Sequence, residues 1–81
     1  MIHARKDYNR IQDPENLIGE KEPVFLIRAK DIVAARAVRM WAELHLAAGG
    51  NEDIAKLARS HAARIEKWQE KNERKTKTAD L

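Results

Sequence analysis

The chain has no cysteine, and its 81 residues include only four aromatics, three glycines and two prolines. Without cysteine there are no disulfides and no thiolate zinc sites, and the absence fits a reducing compartment. No run approaches the ~18 apolar residues of a membrane span. The three histidines, at positions 3, 45 and 61, lack the close spacing of a metal site. Residues 1–7, Met-Ile-His-Ala-Arg-Lys-Asp, have no apolar segment behind their basic residues, so they do not read as a secretory signal and the chain reads as intracellular. With 36% of its residues charged, one copy supplies a thin core. Domains this small commonly rely on disulfides, metals or oligomerisation, and self-association is the stabiliser left.

Sixteen Lys and Arg face 13 Asp and Glu, for a formal charge of +3, and Arg74, Lys75 and Lys77 in the tail account for three of the cations. The folded part is therefore close to balanced, with charges interleaved along it. A duplex-binding protein usually concentrates basic residues on one face, so long nucleic acid is not the expected partner. Interleaved charge most often means a solvated, salt-bridged surface. A few cations converging on a small anionic ligand fit the same composition, because such a site needs local rather than global charge.

Gly49-Gly50-Asn51 organises the rest. Either glycine can take the left-handed conformation that ends a helix, Asn51 can cap the next one, and Glu52 and Asp53 put negative charge in its first turn. The pattern predicts an antiparallel two-helix hairpin. Its first arm runs from a cap at Asp31 to about Ala48, with Val33, Ala37, Met40, Trp41, Leu44 and Ala48 as an apolar stripe. Ile32, Ala35, Val38, Ala42 and Leu46 widen that stripe beyond one partner's needs. Arg39 and Glu43 stand at i, i+4 spacing on its polar side. The second arm carries Ile54, Leu57, Ala58, His61, Ile65 and Trp68 as a narrower stripe.

Ahead of the hairpin, Tyr8 and Ile11 suggest a short helix or turn. Asp13 can cap a second turn with Pro14 at its first position, and Glu20-Lys21-Glu22 is a polar loop. Residues 23–27, Pro-Val-Phe-Leu-Ile, form the most hydrophobic run and are expected to be buried. With no second strand-like run to pair with, they read as an extended or single-turn segment wedged on the hairpin. The fold class is thus all-α: a short N-terminal helix or turns plus the hairpin, oligomeric, with residues 1–72 as one helical domain and 73–81 as a disordered tail.

Catalytic constellations are absent from the pattern, and an enzyme is not expected. His61 within an apolar stripe is most often a packed, hydrogen-bonded histidine, and Trp41 and Trp68 are most often core or interface anchors. Tyr8 differs, because Arg5-Lys6-Asp7-Tyr8-Asn9-Arg10 surrounds one aromatic ring with cations and an amide. Such a cluster can stack a base and hold its phosphates, although a tyrosine packed on the hairpin is the commoner meaning. Lys21, Arg28 and Lys30 flank the 23–27 run, which would hold them near a fixed wall as phosphate ligands.

The order of features resembles a family of small phage proteins. Asp7-Tyr8, Asp13-Pro14-Glu15-Asn16-Leu17-Ile18, the run from Glu22 to Asp31, Val38-Arg39-Met40-Trp41-Ala42, and His61-Ala62 through Trp68 carry the likeness, over residues 7 to about 69. The family is the anti-CBASS sponges, which sequester the second messengers of cyclic-oligonucleotide-based antiphage signalling. The resemblance implies a compact helical homohexamer acting in the cytoplasm of an infected bacterial host. It implies cyclic dinucleotides held in pockets shared between protomers, cyclic trinucleotides at separate sites, no degradation of either, and no cofactor. It also implies Tyr8 as the base-stacking residue and a phosphate-binding lysine, for which Lys21 is nearest while spacing leaves Arg28 and Lys30 open. Arg64 is its match for the trinucleotide site. Two other readings stand beside it: a helical DNA-binding module, and an assembly adaptor using the apolar arc of the first arm.

Overall fold

The computed structural model describes residues 1–8 and 11–80. Helices α1, Ala34–Ala47, and α2, Glu52–Lys71, dominate it. Single 3-10 turns lie at Lys6–Tyr8 and Glu73–Lys75, and a two-stranded parallel sheet joins β1, Ile2–His3, to β2, Pro23–Val24. The chain is mostly helical, as expected, with the small sheet added. That sheet corrects the reading of residues 23–27 as an unpaired segment. Ile2 pairs with Pro23 and His3 with Val24, and the Ile2 amide donates to the Glu22 carbonyl at 2.8 Å. Strands of two residues carry no alternation to detect, and Pro23 begins its strand, where a missing N–H is tolerated. Nor is the run fully buried: Phe25 is 65% exposed, while Leu26 and Ile27 are half-buried.

Local chemistry sets the helix ends. At the end of α1 the Gly50 amide reaches the His45 carbonyl at 2.8 Å and the Gly49 amide reaches Leu46 at 3.0 Å, with Gly49 at φ +87°. This is the paired 6→1 and 5→2 arrangement that needs a left-handed residue after the helix. Asn51 then caps α2, its side-chain oxygen accepting from the Asp53 amide at 2.6 Å. Asp13 acts similarly at its own turn, accepting from the amides of Leu17 and Ile18. Asp31 does not cap α1. Its carboxylate accepts from the Val33 amide at 3.1 Å, Val33 occupies the N-cap position, and α1 begins at Ala34. Asp31 instead pairs with Lys77 in an isolated parallel bridge, and its carbonyl accepts from the Ala34 amide at 2.9 Å.

Small side chains line the contact between the helices. Ala34, Ala35 and Ala42 of α1 and Ala55, Ala62 and Ile65 of α2 are the buried residues, with Ile27, Ala29 and Val38 packed at the margin. Alanine lets two helix backbones approach closely, so the alanine-bearing flank of each stripe turns inward and the larger residues turn out. Leu44 is 60% and Leu57 71% exposed, and Met40, Trp41 and Ile54 are also exposed. His61, expected to be packed, is exposed as well.

Arg39 bonds Glu66 at 2.7 Å rather than its i+4 neighbour Glu43, linking the first half of α1 to the second half of α2. The hydrogen bond from Arg39 lowers the Glu66 carboxyl below its ordinary value. A lowered carboxylate pKa means that the pair's small contribution is present above the ordinary value and is lost as pH falls through the lowered one. Both side chains are solvent-exposed, so the effect is minor.

Residues 73–80, read from sequence as a disordered tail, carry the second 3-10 turn and the bridge to Asp31, in the segment before α1. The Ile32 amide donates to Lys77 and the Lys77 amide to Lys30, each at 2.9 Å.

Urea denaturation tests this packing. Ala62→Leu should lose about 1–3 kcal/mol from overpacking the seam, while Ala63→Leu, one residue away and exposed, should change stability by less than about 0.5 kcal/mol. Asn51→Ala should lose about 1 kcal/mol through its cap.

Candidate functional site

The pairing of β1 with β2 carries the N-terminal residues to the segment that precedes α1, and Tyr8 meets Arg28 there. The Arg28 guanidinium lies 5.9 Å from the Tyr8 ring centroid and its Nη1 donates to the Tyr8 hydroxyl at 3.4 Å. Arg5 lies 5.4 Å from the same centroid. His3 approaches edge-on, with centroids 6.4 Å apart and planes at 89°. The 3-10 turn that presents the ring is closed by the Tyr8 amide donating to the Arg5 carbonyl at 3.1 Å.

Arg5 is itself held by two acids, Asp7 at 2.7 Å and Asp80 at 3.1 Å. The Asp7 hydrogen bond raises the guanidinium pKa above its ordinary value, with further support from Asp80. Asn9 and Arg10, the remaining members of the cationic cluster read from sequence, lie outside the described residues.

Two clefts open on this region and share one wall. The smaller, about 40 Å³, is lined by Arg5, Tyr8, Phe25, Arg28, Lys77 and Asp80 among others. The larger, about 620 Å³, is lined by Arg28, Ala29, Lys30, Trp68, Arg74, Lys75 and Lys77. Lys30 also borders the smaller cleft. Among the described residues no carboxylate lines the larger one, and none of its five cations forms an ion pair. Gln69 fixes the wall from α2, its amide nitrogen donating to the carbonyls of Ala29 at 2.9 Å and Asp31 at 3.0 Å.

Of the residues singled out in the sequence, Tyr8, Arg28 and Lys30 come together. Lys21 does not: it is exposed in the turn closed by the Glu22 amide on the Gly19 carbonyl, and it lines neither cleft. Arg64 lies in a separate, mostly apolar groove of about 620 Å³ with Ile27, Trp41, Leu57 and His61. Sequence reasoning set aside Arg74, Lys75 and Lys77 as solvating charges and Trp68 as an anchor. The cation run was visible, but nothing local shows that Lys77 bonds back to Lys30.

His45 and His61 stand apart from the cationic clefts. His45 stacks on Trp41, with centroids 4.9 Å apart, and its Nε2 is buried without a partner against Gly50, where any Cβ would collide with the ring. Among the described residues no three His, Asp or Glu side chains gather as a metal site, and no helix is long and apolar enough to cross a membrane.

Comparison with protein-family models, with curated proteins and with solved structures gives no match to this chain. The functional reading therefore rests on the site and on the sequence resemblance.

Asp80 sits where an anion would meet Arg5. Asp80→Asn should raise the affinity of this cleft for a small anion such as inorganic pyrophosphate by about two- to tenfold in calorimetry, because a competing carboxylate is removed from the cleft. An unchanged or lower affinity would show that Asp80 does not compete for this site.

Proposed function

We propose that the protein binds cyclic oligonucleotides and holds them intact, acting as a sponge for second messengers in the cytoplasm of a phage-infected bacterium. The observation that supports this most is the Tyr8 ring bracketed by Arg5 and Arg28 beside a wall that also carries Lys30. An aromatic face and adjacent guanidinium groups suit a base attached to a phosphate diester, by stacking, cation–π attraction and charge-assisted hydrogen bonds. No turnover is needed in this reading. Enough tight binder lowers free messenger by mass action, and the resemblance to anti-CBASS sponges supplies the biological setting.

The cleft at Tyr8, about 40 Å³, is far below the roughly 300–1,000 Å³ of small-molecule sites. In this proposal the ligand displaces Asp80 and lies between two copies of the chain, each offering one tyrosine. A cyclic dinucleotide has two base faces and two negative charges, which a twofold pair of sites would match. Arg28 and Lys30 replace Lys21 as the favoured phosphate ligands, since they share a cleft with Tyr8. Arg64 is assigned to a cyclic trinucleotide site in its own groove.

Self-association is the second part of the proposal, with the two helices as an antiparallel hairpin and the hexamer of the sponge family as the assembly. Trp41, Ile54 and Leu57 are exposed along one open groove, and Leu44, three residues on from Trp41 in α1, is exposed as well. Contiguous apolar surface of this kind usually marks an interface. The same face is what an assembly adaptor would use, so ligand binding separates the two readings.

Calorimetry with cyclic dinucleotides and trinucleotides is the direct test. Binding at micromolar or tighter affinity is expected, and Tyr8→Ala should cost roughly 1–3 kcal/mol of dinucleotide affinity while leaving the oligomer intact. Arg64→Ala should weaken the trinucleotide selectively. Ligand recovered unchanged after heat denaturation supports sequestration, whereas a linear product would make this an enzyme. Absence of binding to every cyclic nucleotide leaves the adaptor as the better account.

Native mass spectrometry checks the assembly. Leu44→Glu should shift the population to smaller species or unfold it, and a well-folded monomer from the unmodified chain would remove the interface.

A further inference from the structure

Five cations, Arg28, Lys30, Arg74, Lys75 and Lys77, line one groove, which is more than the chain's whole formal excess of +3. The balanced composition therefore conceals a concentrated patch. Mutual repulsion among them is unfavourable, and among the described residues no carboxylate on the groove wall relieves it. Two of the five stand just beyond the carbonyl end of α2, where the helix dipole favours positive charge. That local effect is confined to the last turn and does not account for Arg28, Lys30 and Lys77, which the parallel bridge brings from far apart in the sequence.

The groove is also built rather than incidental. Lys77 is fixed by main-chain bonds to Lys30 and Ile32, the 3-10 turn carrying Arg74 is closed by the Lys75 amide on the Asn72 carbonyl at 2.9 Å, and the Thr76 hydroxyl bonds the same carbonyl at 3.0 Å. Trp68 forms one wall and keeps 37% of its surface exposed. The volume, about 620 Å³, falls within the roughly 300–1,000 Å³ of small-molecule sites.

We infer that this groove is a binding site for a linear, multiply phosphorylated nucleotide of the nucleoside triphosphate class. The base stacks on Trp68 and the phosphate chain lies among Arg28, Lys30, Arg74, Lys75 and Lys77. Three consecutive phosphates carry the density of charge that five cations in one groove match, and a cyclic diester with two separated charges does not. A duplex would need the cations in a stripe along an extended surface; here they converge around one concavity beside a single aromatic wall. Because Arg28 borders both clefts, a nucleotide here competes with a ligand at Tyr8 for the same guanidinium.

Calorimetry on the full chain with ATP, AMP, inorganic tripolyphosphate and a short DNA duplex tests the site. ATP should bind, AMP should bind about tenfold or more weakly, and tripolyphosphate should fall between them for want of a base. Arg74→Glu with Lys75→Glu, both exposed, should reduce ATP affinity by about tenfold or more while circular dichroism stays unchanged. Trp68→Ala should bring ATP down to the level of tripolyphosphate, and Trp68→Phe should restore the difference. Lys21→Ala, at an exposed residue that lines neither cleft, should leave ATP affinity unaltered. No ATP binding at low salt, ATP binding indifferent to the double charge reversal, or duplex bound more tightly than ATP would each overturn the inference.

Discussion

The alanine contact between α1 and α2 is the constraint on which the other features depend. Ala34, Ala35, Ala42, Ala55 and Ala62 let the helix backbones come close, and among the described residues Ile65 is the one larger side chain buried with them. A seam this narrow leaves no room for tryptophan or leucine, so Trp41, Leu44 and Leu57 face outward. Small domains have little apolar surface to bury in any case, and here much of it remains outside the single chain's core. The apolar surface left outside this core is what the proposal of self-association would cover.

A second consequence concerns the segment between Ala29 and Ile32. It is tied from α2 by Gln69 and from the tail by Lys77, so three stretches distant in sequence are held together by backbone carbonyls and amides. The sheet adds a fourth, since β1 brings Arg5 and Tyr8 to the same side. Satisfying these backbone groups orders a region with few buried side chains. The cations sit on that frame, which is why they are held near one another despite mutual repulsion.

The arrangement also explains how acids and bases are distributed around Tyr8. Asp7 and Asp80 both engage Arg5, while among the described residues Arg28 and Lys30 form no ion pair. One guanidinium is thus neutralised within the chain and the neighbouring cations are open to an external anion. Partial occupation of a cationic site by the protein's own carboxylate trades affinity against the cost of leaving positive charge unmatched.

Much of the local structure was legible in the residues themselves. Gly49 in the left-handed region, Asn51 as a cap and Asp13 at its turn are outcomes of single-residue chemistry, and they need no partner from elsewhere. The helical class followed from periodicity, and Tyr8 with Arg28 and Lys30 could be singled out by residue type alone. Which face of each helix turned inward was not legible, because the widened apolar stripe of the first arm contains several possible seams and only the approach of the other helix selects the alanines. Lys21 and Lys77 illustrate the same limit at the site. They look alike as loop lysines, yet one points away in a turn and the other is carried to Lys30 by two main-chain hydrogen bonds. Two-residue strands and single bridges encode nothing in local pattern; their energy arises only when segments separated by twenty to fifty positions meet.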